Sequence, residues 1–319
     1  MNAMPFKPLF SLLSPAGRAS RLSTLIYHRV LPEADPLLPG VPDAATFRWQ
    51  MRFLRRNFNP LPLDEAVQRL RSGSLPSRAV CVTFDDGYAD NATVALPILR
   101  EEGVPATFFI AAAYLNGGRM FNDTVIETVR RLSTGTVDLT PEGLGLREIQ
   151  TDAERVALAR EMILGIKYLE CEQRQRRAAA LARRLGLELP DDLMMTDAQV
   201  LELAENGMGV GGHTLTHPIL ARLPREQALA EIRGGKAALE RLLKRPVTLF
   251  AYPNGRPGKD YNPEHVAMAQ ELGFAAAFST AWGAARRDSD LYQLPRFTPW
   301  DPTPFRFGLR MARNLLGRA

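Results

Sequence analysis

Along the chain, hydrophobic and polar positions follow two rhythms. Short β-branched or aromatic runs end at polar residues, and longer segments carry apolar residues at helical spacing. Leu22–Tyr27 is the first apolar run and predicts a strand ending at His28, followed by a proline-rich loop through Pro42. Phe47–Phe58 and Leu63–Leu70 carry helical stripes, the second with Asp64 as its expected cap. Val80–Phe84 predicts a buried strand, Asn91–Glu102 a helix stopped by Gly103, and Ala106–Ala111 a further strand. Strand, helix and strand in that order imply parallel pairing. From about Asn116 to Thr196 the rhythm gives way to charge-rich helical sequence with few strand signals, which reads as a helical insertion. It resumes with a helix capped at Thr196 and stopped at Gly207, a short strand over Met208–Val210, and a helix over Glu226–Leu243. Val247–Ala251 predicts a strand, Pro263–Leu272 a helix, Phe274–Ser279 a strand, and a last strand begins at Leu294. The pattern is α/β: parallel strands in a barrel-like or open arrangement, with chemistry expected at their carboxyl ends. One domain over residues 22–319, preceded by an N-terminal extension 1–21, accommodates it.

Composition changes this picture little. With 45% hydrophobic and 24% charged residues among 319, the chain is neither disordered nor fibrous. The net charge of +5 is carried in part by Arg174, Arg176, Arg177, Arg183 and Arg184. They are interleaved with acids and alanines, so they read as a solvated helix face and not as a nucleic-acid surface. Cys81 and Cys171 lie far apart in a predicted strand and a predicted helix, which is no disulfide framework. Leu9, Phe10, Leu12 and Leu13 are interrupted by Pro5, Pro8, Ser11, Ser14 and Pro15, too short and broken for a signal segment or a membrane span. Cytoplasmic residence is the resulting expectation, with a peripheral membrane contact of this amphipathic segment left open. Oligomeric state is not legible.

Chemistry concentrates at three strand ends. Val80–Phe84 runs into Asp85-Asp86-Gly87-Tyr88, and far downstream stands His213-Thr214-Leu215-Thr216-His217-Pro218. The two histidines would share one face if their segment were helical. Two imidazoles and one carboxylate make a three-ligand set that leaves coordination positions open, as at a catalytic zinc-like site, and the second aspartate is then free to act as a base. An Asp-Asp-Gly after a strand is by itself more often a turn or cap. The third strand end is Tyr252-Pro253-Asn254-Gly255.

Taken together, Thr83-Phe84-Asp85-Asp86-Gly87, the His213 to Pro218 run and Tyr252-Pro253-Asn254-Gly255 resemble the first three motifs of polysaccharide deacetylases, the family of the NodB homology domain and of carbohydrate esterase family 4. The resemblance spans roughly residues 22 to 300 and leaves the insertion aside. It implies a distorted (β/α) barrel of NodB type. Carried over motif by motif, it implies Asp86, His213 and His217 as ligands of a divalent metal, usually zinc, and Asp85 as general base. It also implies an oxyanion site at Tyr252 and Asn254, with the Asn254 backbone N–H as donor. Two positions depart from the family pattern. Ala251 stands where an arginine usually orients the base, and no histidine follows His265 to fill the late acid motif. Both departures resemble the permuted subgroup of exopolysaccharide deacetylases, similar to poly-N-acetylglucosamine deacetylases, in which an early Tyr-His pair supplies the acid. Tyr27-His28 matches that pair, which assigns His28 as general acid. Arg296, at the start of the last predicted strand, is the candidate to replace the missing arginine beside Asp85.

The reaction implied is hydrolysis of N-acetyl groups on amino sugars of a polysaccharide or its precursor, in exopolysaccharide biosynthesis or other carbohydrate metabolism. The alternatives are a deacylase or deformylase of a lipid-linked sugar and a catalytically inactive sugar-binding homologue; a phosphatase reading of the Asp-Asp pair is weaker. The expected partner is therefore an N-acetylated glycan or a lipid-linked saccharide. His265 is expected at the surface. Of Trp282 and Trp300, one is expected in the core and the other in a sugar-stacking wall.

Overall fold

The computed structural model describes residues 6–317; Met1 to Pro5 of the predicted extension, and residues 318–319, lie outside the described residues. The chain opens with α1 (Phe6–Leu13), which turns Phe6 and Phe10 into the main hydrophobic cluster, so this part of the predicted extension is built into the fold. Next come β1 (Leu22–Tyr27), α2 (Ala44–Asn57), the short β2 (Asn59–Pro60), α3 (Leu63–Ser72) and β3 (Ala79–Phe84). Pro62 occupies the cap position of α3; Asp64 lies inside the first turn, where its charge complements the helix amino terminus. After β3 the chain winds as a π-helix over Asn91–Ala95 before α4 (Leu96–Glu102), so the expected single helix has two parts. β4 (Ala106–Ile110) follows.

Five parallel pairings link β1, β3, β4 and then β7 (Gly209–Gly212), β8 (Leu249–Ala251) and β9 (Ala276–Phe278) once the intervening insertion is passed. The expected last strand is reduced to two single bridges, Phe278 to Leu294 and Leu25 to Phe297. Those bridges are nevertheless what curls the sheet: Ser279 N–H donates to Leu294 O at 2.8 Å and Ile26 N–H to Phe297 O at 2.9 Å, tying the β9 edge back to β1. The result is a parallel sheet closed into a distorted (β/α) barrel.

Alternation along the strands sorts their side chains. Val80, Val82 and Phe84 of β3 pack outward with α2, where Tyr27, Phe84 and Phe108 stack across three strands at 5.5 and 4.7 Å between ring centroids. Ala79 and Cys81 face the other way, with α3, Phe109 and Phe278. Both cysteines are free.

The insertion contains α5 (Phe121–Arg130), β5 (Gly135–Leu139), β6 (Gly145–Ile149), α6 (Asp152–Ile166) and α7 (Cys171–Arg184). It is therefore not purely helical. β5 and β6 form an antiparallel hairpin whose alternation leaves every second side chain exposed, so the segment lacked the apolar density that marks a core strand. Its helices and hairpin share a separate cluster built on Val125, Val129, Leu139, Ile149, Leu158 and Leu181. Arg174, expected on a solvated face, is buried with its guanidinium 4.3 Å from the Phe121 ring centroid.

The remaining helices are α8 (Asp197–Glu205), α9 (Arg225–Leu243), α10 (Pro263–Glu271) and α11 (Pro304–Leu316). His265 is buried and not at the surface, because its Nδ1 accepts from the Asn262 N–H in the cap of α10 at 3.1 Å. Neither tryptophan is in the core: Trp282 is half-buried against Phe297 and Trp300 is 65% exposed. No helix among the described residues is long and apolar enough to cross a membrane.

Candidate active site

The carboxyl ends of the strands surround a cleft of about 320 Å³ in which His28, Asp85, His213, His217 and Asn254 meet. β3 delivers the aspartates. Phe84 points to the outer helices, so the next residue, Asp85, faces the cleft; Asp86 then turns the chain with φ 78° into Gly87 at φ 95°. A non-glycine residue held there stores backbone strain of about 1 to 3 kcal/mol, a cost commonly met at functional sites.

The histidines do not sit on a helix. His213 follows β7 directly, Thr214 and His217 adopt φ of 66° and 53°, and the two imidazole centroids lie 4.8 Å apart. Glu231 of α9 holds this loop: its carboxylate accepts from Leu215 N–H (3.0 Å), Thr216 N–H (2.8 Å) and the Thr216 hydroxyl (2.7 Å). The loop can approach α9 because Gly235 carries no Cβ, which would otherwise fall 2.4 Å from the Thr214 carbonyl oxygen.

Arg296 is fully buried on the inner side of the sheet. Its Nη1 donates to Asp85 Oδ1 at 2.7 Å and its Nη2 to Asp85 Oδ2 at 2.8 Å, a bidentate pair. The same guanidinium donates to Ser279 O and to the Thr83 hydroxyl, each at 3.2 Å, and lies 5.2 Å from the Phe109 ring centroid. It thus reaches Asp85 from a segment 211 residues further along the chain. Burial alone would push the Asp85 carboxyl up, but Arg296 and the nearby histidines outweigh it and hold it at about 2. Asp86 behaves oppositely. Burial and the adjacent Asp85 charge push it up to about 8.

His213 Nδ1–H donates to Ala251 O at 2.7 Å, which turns Nε2 toward the aspartates. That Nε2 lies 3.6 Å from Asp86 Oδ1, and His217 Nε2 lies 3.4 Å from the same oxygen. Burial holds His213 near 4 and His217 well below the usual histidine range, so both are neutral and offer lone pairs. Asp86 Oδ1 is buried without any hydrogen-bond partner among the described residues. One carboxylate oxygen and two neutral imidazoles, all within 4.8 Å of one another, fit a divalent cation.

The other predicted residues sit as follows. His28 opens onto the cleft while Tyr27 turns inward to donate to Gln50 Oε1 at 2.8 Å. The His28 carbonyl is held by Asn91 Nδ2 at 2.9 Å, from the π-helical turn. Asn254 adopts φ 58°, accepts from the Thr280 hydroxyl through its carbonyl at 2.8 Å, and its N–H is hydrogen-bonded to no protein group among the described residues. Tyr252 is buried away from the cleft, stacked on Tyr261 at 3.8 Å with its hydroxyl donating to Tyr292 O. Trp282 and Trp300 both form part of the wall. Glu231, Asn91 and Gly235 support the site and lie outside the motifs, and Thr83 supports it from within the first; a Gly234-Gly235 pair inside a helical pattern was the available signal.

The sequence pattern of the polysaccharide deacetylase family matches residues 72–140 and 175–277, more than half of the chain, and skips part of the insertion. A Bacillus subtilis (strain 168) protein provisionally named a polysaccharide deacetylase, YxkH, is 23% identical over 281 residues, covering 88% of this chain and 71% of its own. Among solved structures, the fold is shared with the Streptococcus pyogenes deacetylase PplD in complex with acetate (TM-score 0.62, 18% identity, 91% of this chain and 98% of that one). It is also shared with IcaB from Ammonifex degensii (TM-score 0.59, 20% identity, 95% and 98%).

Proposed function

This chain belongs to the polysaccharide deacetylase family, hydrolases of the carbon–nitrogen bond of N-acetyl groups, and from that premise we propose a metal-dependent de-N-acetylase of an amino-sugar glycan. The observation that carries the metal is the partnerless, buried Asp86 oxygen facing two neutral imidazoles. Asp86, His213 and His217 would hold the ion, and two nitrogens with one oxygen favour zinc. A bound cation supplies Lewis acidity for the acetamide carbonyl and for water.

The chain's own groups do the rest. Asp85, kept ionised by Arg296, accepts a proton from the attacking water. Arg296 is a positioning residue: its two parallel hydrogen bonds fix the carboxylate plane and leave the remaining lone pairs toward the cleft. The free N–H of Asn254 is available to the oxygen on which negative charge develops, and its backbone origin makes the side chain immaterial. His28, once protonated, donates to the leaving nitrogen; the C–N bond then breaks to give acetate and a free amine. Asn91 fixes the His28 backbone for that task. Trp300, exposed on the rim, offers an apolar face on which a sugar ring can stack.

The test is release of acetate from N-acetylated glycans by the zinc-loaded protein. Asp85→Asn is expected to lose at least about a hundredfold in turnover while retaining metal. His217→Ala is expected to lose the metal itself. Wild-type protein that binds zinc yet releases no acetate from any N-acetylated glycan would leave the inactive sugar-binding alternative standing.

A further inference from the structure

α1 and α11 lie side by side on one flank of the barrel, with Gly308 of α11 packed against the Phe6 ring and Phe6 6.2 Å from Phe305. Their inward faces are in the core. Their outward faces are not what a flank with no further role would carry: Leu9, Leu12, Phe305, Leu309 and Leu316 are exposed large hydrophobics, Leu12 at 78%. Such a concentration on two neighbouring helices marks an interaction surface.

Charge says what kind. The whole chain is nearly balanced, with 40 basic against 35 acidic residues, yet these two helices carry Lys7, Arg306, Arg310 and Arg313 and no acid. Arg310 is paired with Asp301, whereas Lys7, Arg306 and Arg313 form no ion pair among the described residues. The basic character continues past the end of α11. Arg21 donates to the Leu315 carbonyl, and a cavity of about 640 Å³ there is lined by Arg18, Arg21, Arg71, Arg286 and Arg287 against the single acid Asp288. Leucine and phenylalanine flanked by cations, on helices too short to span a bilayer, match an interfacial helix pair in chemistry.

We propose that this flank docks on an anionic lipid bilayer, with the leucines and Phe305 entering the headgroup boundary and the lysine and arginines meeting lipid phosphates. The face adjoins the cleft: Arg310 lies 5.4 Å from the Trp300 ring centroid and 5.7 Å from that of Trp282, and both tryptophans form the cleft wall. Docking therefore brings the cleft mouth to the membrane surface. A lipid-linked or membrane-proximal glycan as substrate follows only on the deacetylase reading above; the docking itself does not depend on it.

The experiment is co-sedimentation of the full chain with vesicles of phosphatidylcholine alone or of equal parts phosphatidylcholine and phosphatidylglycerol. Wild-type protein should partition onto the anionic vesicles and not the neutral ones. Raising salt should release it. Leu12→Glu with Leu309→Glu, and separately Arg306→Glu with Arg313→Glu, should each weaken partition by about tenfold or more. Thermal melting and zinc content report whether the variants keep the fold, and acetate release from a soluble glycan is measured separately, so loss of docking and loss of catalysis are distinguishable. Wild-type protein that stays in solution with anionic vesicles, or folded variants that partition like wild type, would overturn the proposal. A dimer that the leucine variant splits into monomers, with no vesicle binding by wild type, would assign the face to a second copy instead.

Discussion

Adjacent aspartates in this chain have opposite proton affinities because they have different neighbours. Asp85 is gripped by a fully buried guanidinium and stays ionised; Asp86 is buried beside that charge with nothing among the described residues to bond its Oδ1. Since the folded pKa of Asp85, about 2, lies below the unfolded value of about 3.9, its ion pair stabilises the fold above about pH 4. That contribution is lost as pH falls from there toward 2. Arg296→Met removes the partner and leaves Asp85 uncompensated, so it is expected to destabilise the protein by about 3–5 kcal/mol at neutral pH, read as a lowered melting temperature. The same variant should lose the difference in stability between pH 4 and pH 2 that this pair confers, and the acid limb of its pH–rate profile should move to higher pH. Asp86 gives a second prediction. Held at about 8, it must give up a proton when a cation binds, so zinc affinity should tighten by about tenfold per pH unit up to about pH 8 and level off above. Competitive zinc titrations at several pH values check this; affinity independent of pH would remove Asp86 from the ligand set.

At the scale of elements, the site is a set of strand ends held by contacts from helices. The histidine loop rests on α9 through Glu231 and through the missing side chain at Gly235, and neighbouring glycines there give an internal control. Alanine favours a helix interior over glycine by about 1 kcal/mol, so both Gly234→Ala and Gly235→Ala should gain helix stability if space alone allowed it. At Gly234 the added methyl meets Leu215 Cδ1, the end of a side chain that can rotate away. At Gly235 it meets the Thr214 backbone, which cannot move without carrying His213 and His217 with it. Gly234→Ala is therefore expected to leave zinc affinity unchanged. Gly235→Ala should weaken it about 10- to 100-fold, the range found for supporting partners of metal ligands. Equal affinities in the two variants would mean the loop is not set by that contact.

For the whole molecule, two hydrophobic bodies differ in their ties. The barrel cluster spans β1, β3 and β4 and their helices, whereas the insertion has a cluster of its own under a half-exposed hairpin. Native-state hydrogen exchange should find the amides of β5 and β6 opening locally, at lower free energy than those of β3 and β4, which should exchange only with global unfolding. Identical protection in both regions would show one cooperative unit. Strand, helix and strand order was written in the sequence, because buried parallel strands require continuous apolar runs and their covering helices require one apolar stripe. The three motifs stood at strand ends for the same reason. Less was legible where polar groups are paired over long sequence distances or where strands are half-exposed. The β5–β6 hairpin, the burial of Arg174 and His265, and the loop conformation of the second motif each depend on partners that no local pattern announces. The sequence by itself determined the alternation that builds the sheet and the residue types fit for a cation, since periodicity and chemistry are local properties. Only the tertiary structure decided that Arg296, 211 residues away, grips Asp85, and that two single bridges tie β9 back to β1. Barrel closure is a contact between chain segments far apart, and a charge is neutralised by whatever the fold brings beside it.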